Sequence, residues 1–552
     1  MAAKNVNAVV IGAGAGGGIV AKELAEAGLT VLLLERGKWN TPFDDLKDDL
    51  RNQRVSVLGA PFGPDDERNP RVVVDAPGRE RIVLPSDSEM EYNNNAACVG
   101  GGTVSYGAMA WRYMEQDFRM RSTYGSVEGS TLDDWPISYQ DLEPYYEKAE
   151  WEIGVSGDDS NNIFRAPRKR PLPMPPLPPN REYTILKPAA QRLGFHPFDI
   201  PMLRNSVPYG GRVPCMRCRW CVGFACEVNA KNGTQNTVIP KALVTGNCEL
   251  KTDCMTKEIL TDARGRATGV AYYDENDHLQ EQTVDIVVVS CGANESARLL
   301  LNSKSSLFPN GLGNRYDWVG RNLQGHAYTG ACGLFDFEVY DDIGPGASIA
   351  ICDFNHGNPG LVSGGMLANE FIRLPIEFVG QDQPVVKDWG REHKDFMRQW
   401  FKRSIVVYGP VQEMPVFDAR VQVDPVVKDH WGIPVCRLSG RRHTNDIHVA
   451  EFLSTKAEEW LKEAGAIKTW PQLPDSRLSG GQHQAGTCRM GNDPKTSVVN
   501  KDCQVHDVDN LFVIDASVHV TNGGFNPVLT IMANAYRASD ILVRNWKGTK
   551  FR

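Results

Sequence analysis

Nowhere in the 552 residues does an apolar run approach the ~18 to 20 residues needed to cross a bilayer; the longest are strand-sized, such as Thr30 to Leu34 and Ile286 to Val289. A transmembrane segment is therefore not expected. The opening Met-Ala-Ala-Lys-Asn lacks the basic region, apolar stretch and small-residue cleavage site of an export signal, which points to the cytoplasm. Charge of one sign is not in excess either: 60 basic against 68 acidic side chains give a net charge of -8, which excludes the electrostatic footprint of a nucleic-acid binder. Thirteen cysteines, an odd number in a chain without an export signal, argue against a complete disulfide framework. No internal repeat is present. A chain of this length outgrows a single core, so two structural lobes are expected.

The N-terminus reads as a βαβ unit: a short apolar strand at Asn7 to Ile11, a glycine-rich turn at Gly12 to Gly18, a striped helix at Ile19 to Ala27 and a second strand at Thr30 to Leu34. Two stretches without sustained periodicity, Thr41 to Met90 and the proline-rich Pro167 to Pro179, read as surface excursions, the second partly polyproline II. Within the latter, Arg168, Lys169 and Arg170 read as a solvated loop face. Strands and a helix return from Glu249 to Leu301, Ala331 to Ile433 is strand-rich, and the region after Gly480 reverts to strand and helix.

Gly12, Gly14 and Gly17 form Gly-x-Gly-x-x-Gly between a strand and a helix, trailed by Glu35 at the end of the next strand. That context is a dinucleotide fingerprint: Gly12 permits the tight turn, Gly14 lets the backbone approach a pyrophosphate, Gly17 lets helix and strand pack, and Glu35 accepts from ribose hydroxyls. The turn alone does not choose between NAD and FAD. Asn510 to Ser517 does, since it is a strand ending in Asp515 and suits the ribityl chain of an extended FAD.

With GAGAGGG and Glu35 come VGGGTVSYGAMAWR (Val99 to Arg112), DWPISYQDLEPYYEKAE, SCGANESARLLLNS, VGRNLQGH (Val319 to His326) and HQAGTCRMG (His483 to Gly491). Together these resemble the glucose–methanol–choline family of flavin oxidoreductases over nearly the whole chain. Within it they are most similar to bacterial glycoside 3-oxidases and the large subunits of FAD-dependent glucose or glucoside dehydrogenases. The resemblance implies an α/β protein, α+β overall: a Rossmann-like FAD-binding domain from 1–115, 232–330 and 480–552, a connecting, cysteine-bearing segment over 116–231, and an antiparallel-sheet substrate-binding domain over 331–479. It also places Gly101, Gly102 and Thr103 on the FAD. Gly101 to Trp111 contains no histidine, the residue that anchors the flavin in fungal pyranose oxidases, so non-covalent FAD is implied.

Oxidising an alcohol requires a base for the hydroxyl proton and a hydride acceptor, and neutral histidine suits the first task. The resemblance puts the catalytic histidine at His483 and, at Asn526, the second site residue, which supplies a hydrogen bond to the substrate oxygen. Asn526 also reads as an N-cap with Pro527 at the first helical position, aiming a helix N-terminus at the flavin. Gln412 and Glu413 fall on an expected strand, of which alternation lets only one face the site.

Cys215, Cys218, Cys221 and Cys226 crowd into twelve residues, close enough to hold an iron–sulfur cluster or another metal; structural zinc, disulfides or free packed thiols are the alternatives. Related dehydrogenase large subunits use cysteines here, at different spacing, for a cluster that feeds a cytochrome. The implied function is oxidation of a sugar or glycoside secondary hydroxyl, such as that on C3, with O2 or another acceptor. The alternatives are a catalytic subunit that passes electrons to a small subunit or cytochrome, which would allow co-export to the periplasm, and a non-redox member such as a hydroxynitrile lyase.

Overall fold

The computed structural model describes residues 6–44, 65–76, 79–85, 96–375, 378, 386–387, 389–479 and 483–548. Much of the excursion expected over Thr41 to Met90 lies outside these residues. Among the described residues, three sheets organise the fold.

The first is seven-stranded and parallel at its centre. Val6–Ile11 lies between Val31–Leu34 and Leu279–Val289, with Cys248–Lys251 beyond the former and Leu511–Val513 beside the latter. Ala8, Val9, Val10 and Ile11 are buried, as an interior parallel strand covered on both faces requires. The helix Gly17–Glu26 turns Ile19, Val20 and Leu24 into this core. Leu279–Val289 serves two sheets' worth of pairing. Its second half joins the parallel core, and its first half runs antiparallel to Ala267–Tyr273, which pairs in turn with Met255–Thr261. The parallel strands end together, and the turns that follow them open on one cavity, where open α/β sheets place their ligands.

The second sheet is antiparallel throughout, in the order Lys468–Gln472, Tyr328–Leu334, Ser404–Pro410, Leu367–Asn369, Ile349–Ile351, Phe198–Met202 and Ser156–Asp158. The helix Thr444–Glu463 covers one face through Val449, Leu453 and Trp460. This sheet departs from the expected division of the chain. Two of its strands come from the segment read as a connector, and Tyr328 opens a strand inside the range assigned to the FAD-binding domain. Strands of three to five residues carry too little periodicity to be seen before their distant partners are known.

The third sheet pairs Arg71–Ala76 and Arg79–Val83, a hairpin within the supposed excursion, with Pro434–Ser439 and Arg420–Lys428. A second correction concerns Arg168 alone in the basic run, since Lys169 and Arg170 are exposed as read. The Arg168 side chain is only 7% exposed, with its guanidinium 2.8 Å from Glu150 and 2.9 Å from Asp159. Lys169 reaches Glu143, and Arg170 reaches Glu147 and stacks 3.9 Å over the Trp151 ring. The run ties the proline-rich stretch to the helix Tyr139–Ala149 and the turn after it, because the carboxylates that pair with it are presented at one-turn spacing.

Candidate active site

A cavity of about 530 Å³ runs from the glycine turn to the antiparallel sheet. Gly12, Gly14, Glu35, Gly101, Gly102 and Thr103 line one end. Asp515 and Pro527 lie along it, and His483, Asn526 and Tyr328 line the other end. Gly17 does not line it. A Cβ on Gly17 would sit 1.9 Å from the Gly12 carbonyl oxygen, so this glycine serves helix packing. Gly12, at φ 98°, has a conformation that an L side chain resists and faces the Ser290 carbonyl. A Cβ on Gly14 or Gly102 meets nothing within 4 Å, because these positions border open cavity. That difference is what a cradle for a bound pyrophosphate requires, and the residues fit FAD.

The acids at this end hold the cradle together. Glu35 accepts from the backbone of Ala13 at 2.9 Å and of Gly37 at 3.0 Å; burial pushes its carboxyl up, and those N–H groups oppose the shift. Asp515 accepts from Gly292 N at 2.9 Å, Ser296 Oγ at 2.6 Å and Ser517 N at 2.8 Å, which ties the start of the helix after Leu279–Val289 to the turn after Leu511–Val513.

At the other end, His483 has φ 54°, an uncommon left-handed backbone for a side-chain-bearing residue and a frequent mark of functional positions. Asn522 Nδ2 holds it there by donating to the His483 carbonyl at 2.6 Å. The His483 Nδ1 lies 2.9 Å from His326 Nδ1, and His326 Nε2 lies 2.8 Å from the Gly523 carbonyl. Burial, and then the neighbouring His326 imidazole, hold His483 well below its ordinary range. Asn526 accepts from Trp111 Nε1 at 3.0 Å, and its Nδ2 is 3.1 Å from the Tyr328 hydroxyl and 3.4 Å from His483 Nε2. Burial, reinforced by Glu370, pushes the Tyr328 phenol up, so it stays protonated.

Asn526 is not the N-cap that its place before Pro527 suggests. The helix Val528–Lys547 is capped at Pro527 without a side-chain bond, and the Asn526 amide is spent across the cavity instead. Gln412 and Glu413 lie past the end of Ser404–Pro410, and both are buried away from the cavity. Glu413 accepts from Gly325 N at 3.1 Å and Ala327 N at 2.7 Å, clamping the turn that carries His326. Trp111, His326 and Tyr328 received no role from the sequence, although two sit within quoted motifs and the third follows one by two positions.

These two ends form one chemical site, with a dinucleotide cradle leading to a histidine–asparagine pair. The profile of the GMC oxidoreductase N-terminal region matches residues 8–328, and that of its C-terminal region matches 415–535. The chain belongs to the GMC oxidoreductase family. As a member, it is an FAD-dependent oxidoreductase acting on CH–OH groups. It is 31% identical to 2-methyl-1,2-propanediol dehydrogenase from Mycolicibacterium austroafricanum, covering 99% of this chain and 96% of that one. Similarity extends to the gluconate 2-dehydrogenase flavoprotein of Pantoea cypripedii, at 28% with 97% and 92% covered. The 6'''-hydroxyparomomycin C oxidase of Streptomyces lividus is 29% identical, with 96% and 90% covered.

The four clustered cysteines do not converge. All thirteen cysteines are free thiols, and among the described residues no three His, Cys, Asp or Glu side chains are placed to hold a metal. Cys221 instead shares a hydrogen bond with Cys218 and receives the buried Arg204 guanidinium at 2.9 Å; these contacts lower its thiol well below the usual range. Cys215 accepts from Arg217 N at 3.3 Å. This arrangement does not fit a metal centre. No helix among the described residues is long and apolar enough to cross a membrane.

Proposed function

We propose that this GMC oxidoreductase oxidises a secondary hydroxyl of a sugar or glycoside, such as that on C3, to the keto sugar, with His483 as the base. The observation that carries the reading is the convergence of His483 Nε2 and Asn526 Nδ2, 3.4 Å apart, in the cavity that begins at the dinucleotide turn. The carbinol loses a proton from oxygen and a hydride from carbon. Bound FAD supplies the acceptor for that hydride and its two electrons. His483 Nε2 takes the hydroxyl proton, while Asn526 Nδ2 and the Tyr328 hydroxyl donate toward the carbinol oxygen as negative charge develops on it. Met366, Ala368 and Phe371 add apolar wall to this part of the cavity. A polyhydroxylated substrate is supported by the likeness to proteins named for a diol, for gluconate and for an aminoglycoside.

The test is anaerobic addition of a panel of sugars and glycosides to the FAD-loaded enzyme, followed by product analysis. Bleaching of the flavin with formation of a keto sugar supports the reading, whereas bleaching only by simple diols or primary alcohols overturns its substrate class. A second reading, in which electrons leave to a protein partner such as a small subunit or cytochrome, is supported by the likeness to a dehydrogenase flavoprotein. Its mark is a reduced flavin that air does not reoxidise but that an added cytochrome or artificial one-electron acceptor does.

A further inference from the structure

Two hydrogen-bond chains reach the His483 imidazole from opposite sides, and each dictates where its hydrogen lies. On one side stands the Gly523 carbonyl, which can only accept, so His326 Nε2 must carry the hydrogen in their 2.8 Å contact. Burial disfavours a charge on His326, although Glu413 pulls the other way. A neutral His326 with its hydrogen on Nε2 has a lone pair on Nδ1. The His483 Nδ1 faces that lone pair at 2.9 Å and must donate to it. His483 is thereby left with its own lone pair on Nε2.

The other side gives the same answer independently. The Trp111 indole can only donate, so the Asn526 atom 3.0 Å from it is the amide oxygen. Asn526 then turns Nδ2, a donor, toward Tyr328 and His483 Nε2. A donor approaching at 3.4 Å calls for an acceptor, which Nε2 is only when the hydrogen sits on Nδ1.

We propose that His326 is a positioning residue that fixes His483 in the tautomer with hydrogen on Nδ1, keeping Nε2 free to accept a proton. The inference rests on the reading of His483 as the base. In the opposite tautomer Nε2 would present a hydrogen to the carbinol oxygen and the histidine could not act. When Nε2 takes the hydroxyl proton, the Nδ1 hydrogen continues to donate to His326, so the positive charge appears with an acceptor already in place. The turn that carries His326 is itself held on both flanks, since Glu413 takes the N–H groups of Gly325 and Ala327 while Ser479 and Arg442 donate to the same carboxylate. The ring of His519, neutral through burial, and the Tyr328 phenol are the other titratable groups near this pair.

The test reads the tautomer directly and needs no substrate. Histidine-selective 15N labelling of the FAD-loaded enzyme, observed through two-bond proton–nitrogen correlations, separates protonated from unprotonated ring nitrogens for the 11 histidines. The His483→Gln and His326→Asn variants assign the two signals. Wild-type enzyme is expected to show His483 protonated on Nδ1 and His326 on Nε2; the reverse assignment for His483 overturns the proposal. In His326→Leu, which has no acceptor, the His483 signal is expected to lose its exclusive Nδ1 protonation and show a substantial Nε2-protonated population, and flavin reduction by the fastest substrate of the panel is expected to slow by about tenfold or more. His326→Asn, whose amide oxygen stands where Nδ1 stood, should keep the wild-type tautomer and recover most of the rate. An unchanged His483 tautomer in His326→Leu overturns the proposal. Should the leucine variant not fold, the wild-type and asparagine spectra still decide it. The two claims fail separately: full activity in His483→Ala removes the base but leaves the tautomer result standing, and an unaffected tautomer removes His326's role but leaves the base.

Discussion

His483 meets its task through what surrounds it. Burial, and then the second imidazole packed beside it, make protonation of His483 unfavourable, so the base form persists below the ordinary histidine range. Flavin reduction by substrate is accordingly expected to be flat from about pH 6.5 upward and to fall with acid through a single inflection at the lowered pKa. Rapid mixing without oxygen across pH checks this; an inflection at or above neutrality would assign the base to another group. Asn526 offers a second test. Asn526→Ala removes a donor from the developing alkoxide, so reduction should slow by roughly 10² while FAD stays bound. An effect on KM alone would make it a binding residue. The placement of His483 and Asn526 on one cavity was legible because the family resemblance sets both positions. Trp111 and His326 were not, because their roles depend on which atom of a neighbour they face, and a hydrogen-bond direction leaves no trace in residue order.

The glycine turn separates two duties that the motif Gly-x-Gly-x-x-Gly does not distinguish. Gly14→Val places its side chain in open cavity, so the variant should fold as wild type does and bind little FAD. Gly17→Val drives a side chain into the Gly12 carbonyl and should lower the thermal midpoint and the soluble yield. Comparing circular dichroism with flavin absorbance in the two variants checks this. Equal FAD occupancy in Gly14→Val and wild type would leave that glycine merely structural. The N-terminal unit was readable because strand, turn, helix and second strand are consecutive and each has its own period. The hairpin at Arg71–Ala76 and Arg79–Val83 was not, since its stabilising partner is Pro434–Ser439, more than three hundred residues away. The same holds for Arg168, whose solvated appearance in a short basic run gave way to burial once Glu150 and Asp159 folded beside it. Glu413 was weighed as a cavity residue and proved to be a clamp, because the strand it was placed on ends at Pro410.

The whole molecule joins a parallel sheet, whose strand ends line the glycine-turn end of the cavity, to an antiparallel sheet that supplies Tyr328 and the far wall. Both sheet classes were legible in outline, but the division between them was not, since the antiparallel sheet recruits strands from 156–158 and 198–202 that carry little pattern of their own. No histidine lies between Gly101 and Trp111, so the flavin is expected to leave with the supernatant when the enzyme is precipitated by acid; colour retained in the pellet would mean a covalent link. The account as a whole depends on a proton leaving the carbinol for His483 as the hydride leaves for the flavin. The rate of anaerobic flavin reduction in His483→Ala, against wild type on the same substrate, tests this most directly. The variant should keep its fold and FAD and bind substrate almost as before, yet reduce its flavin about 10² to 10⁴ times more slowly, roughly 3 to 5 kcal/mol of barrier, and lose the acid inflection. Reduction within about tenfold of wild type, with the pH dependence unchanged, would contradict the account and place the base elsewhere in the cavity.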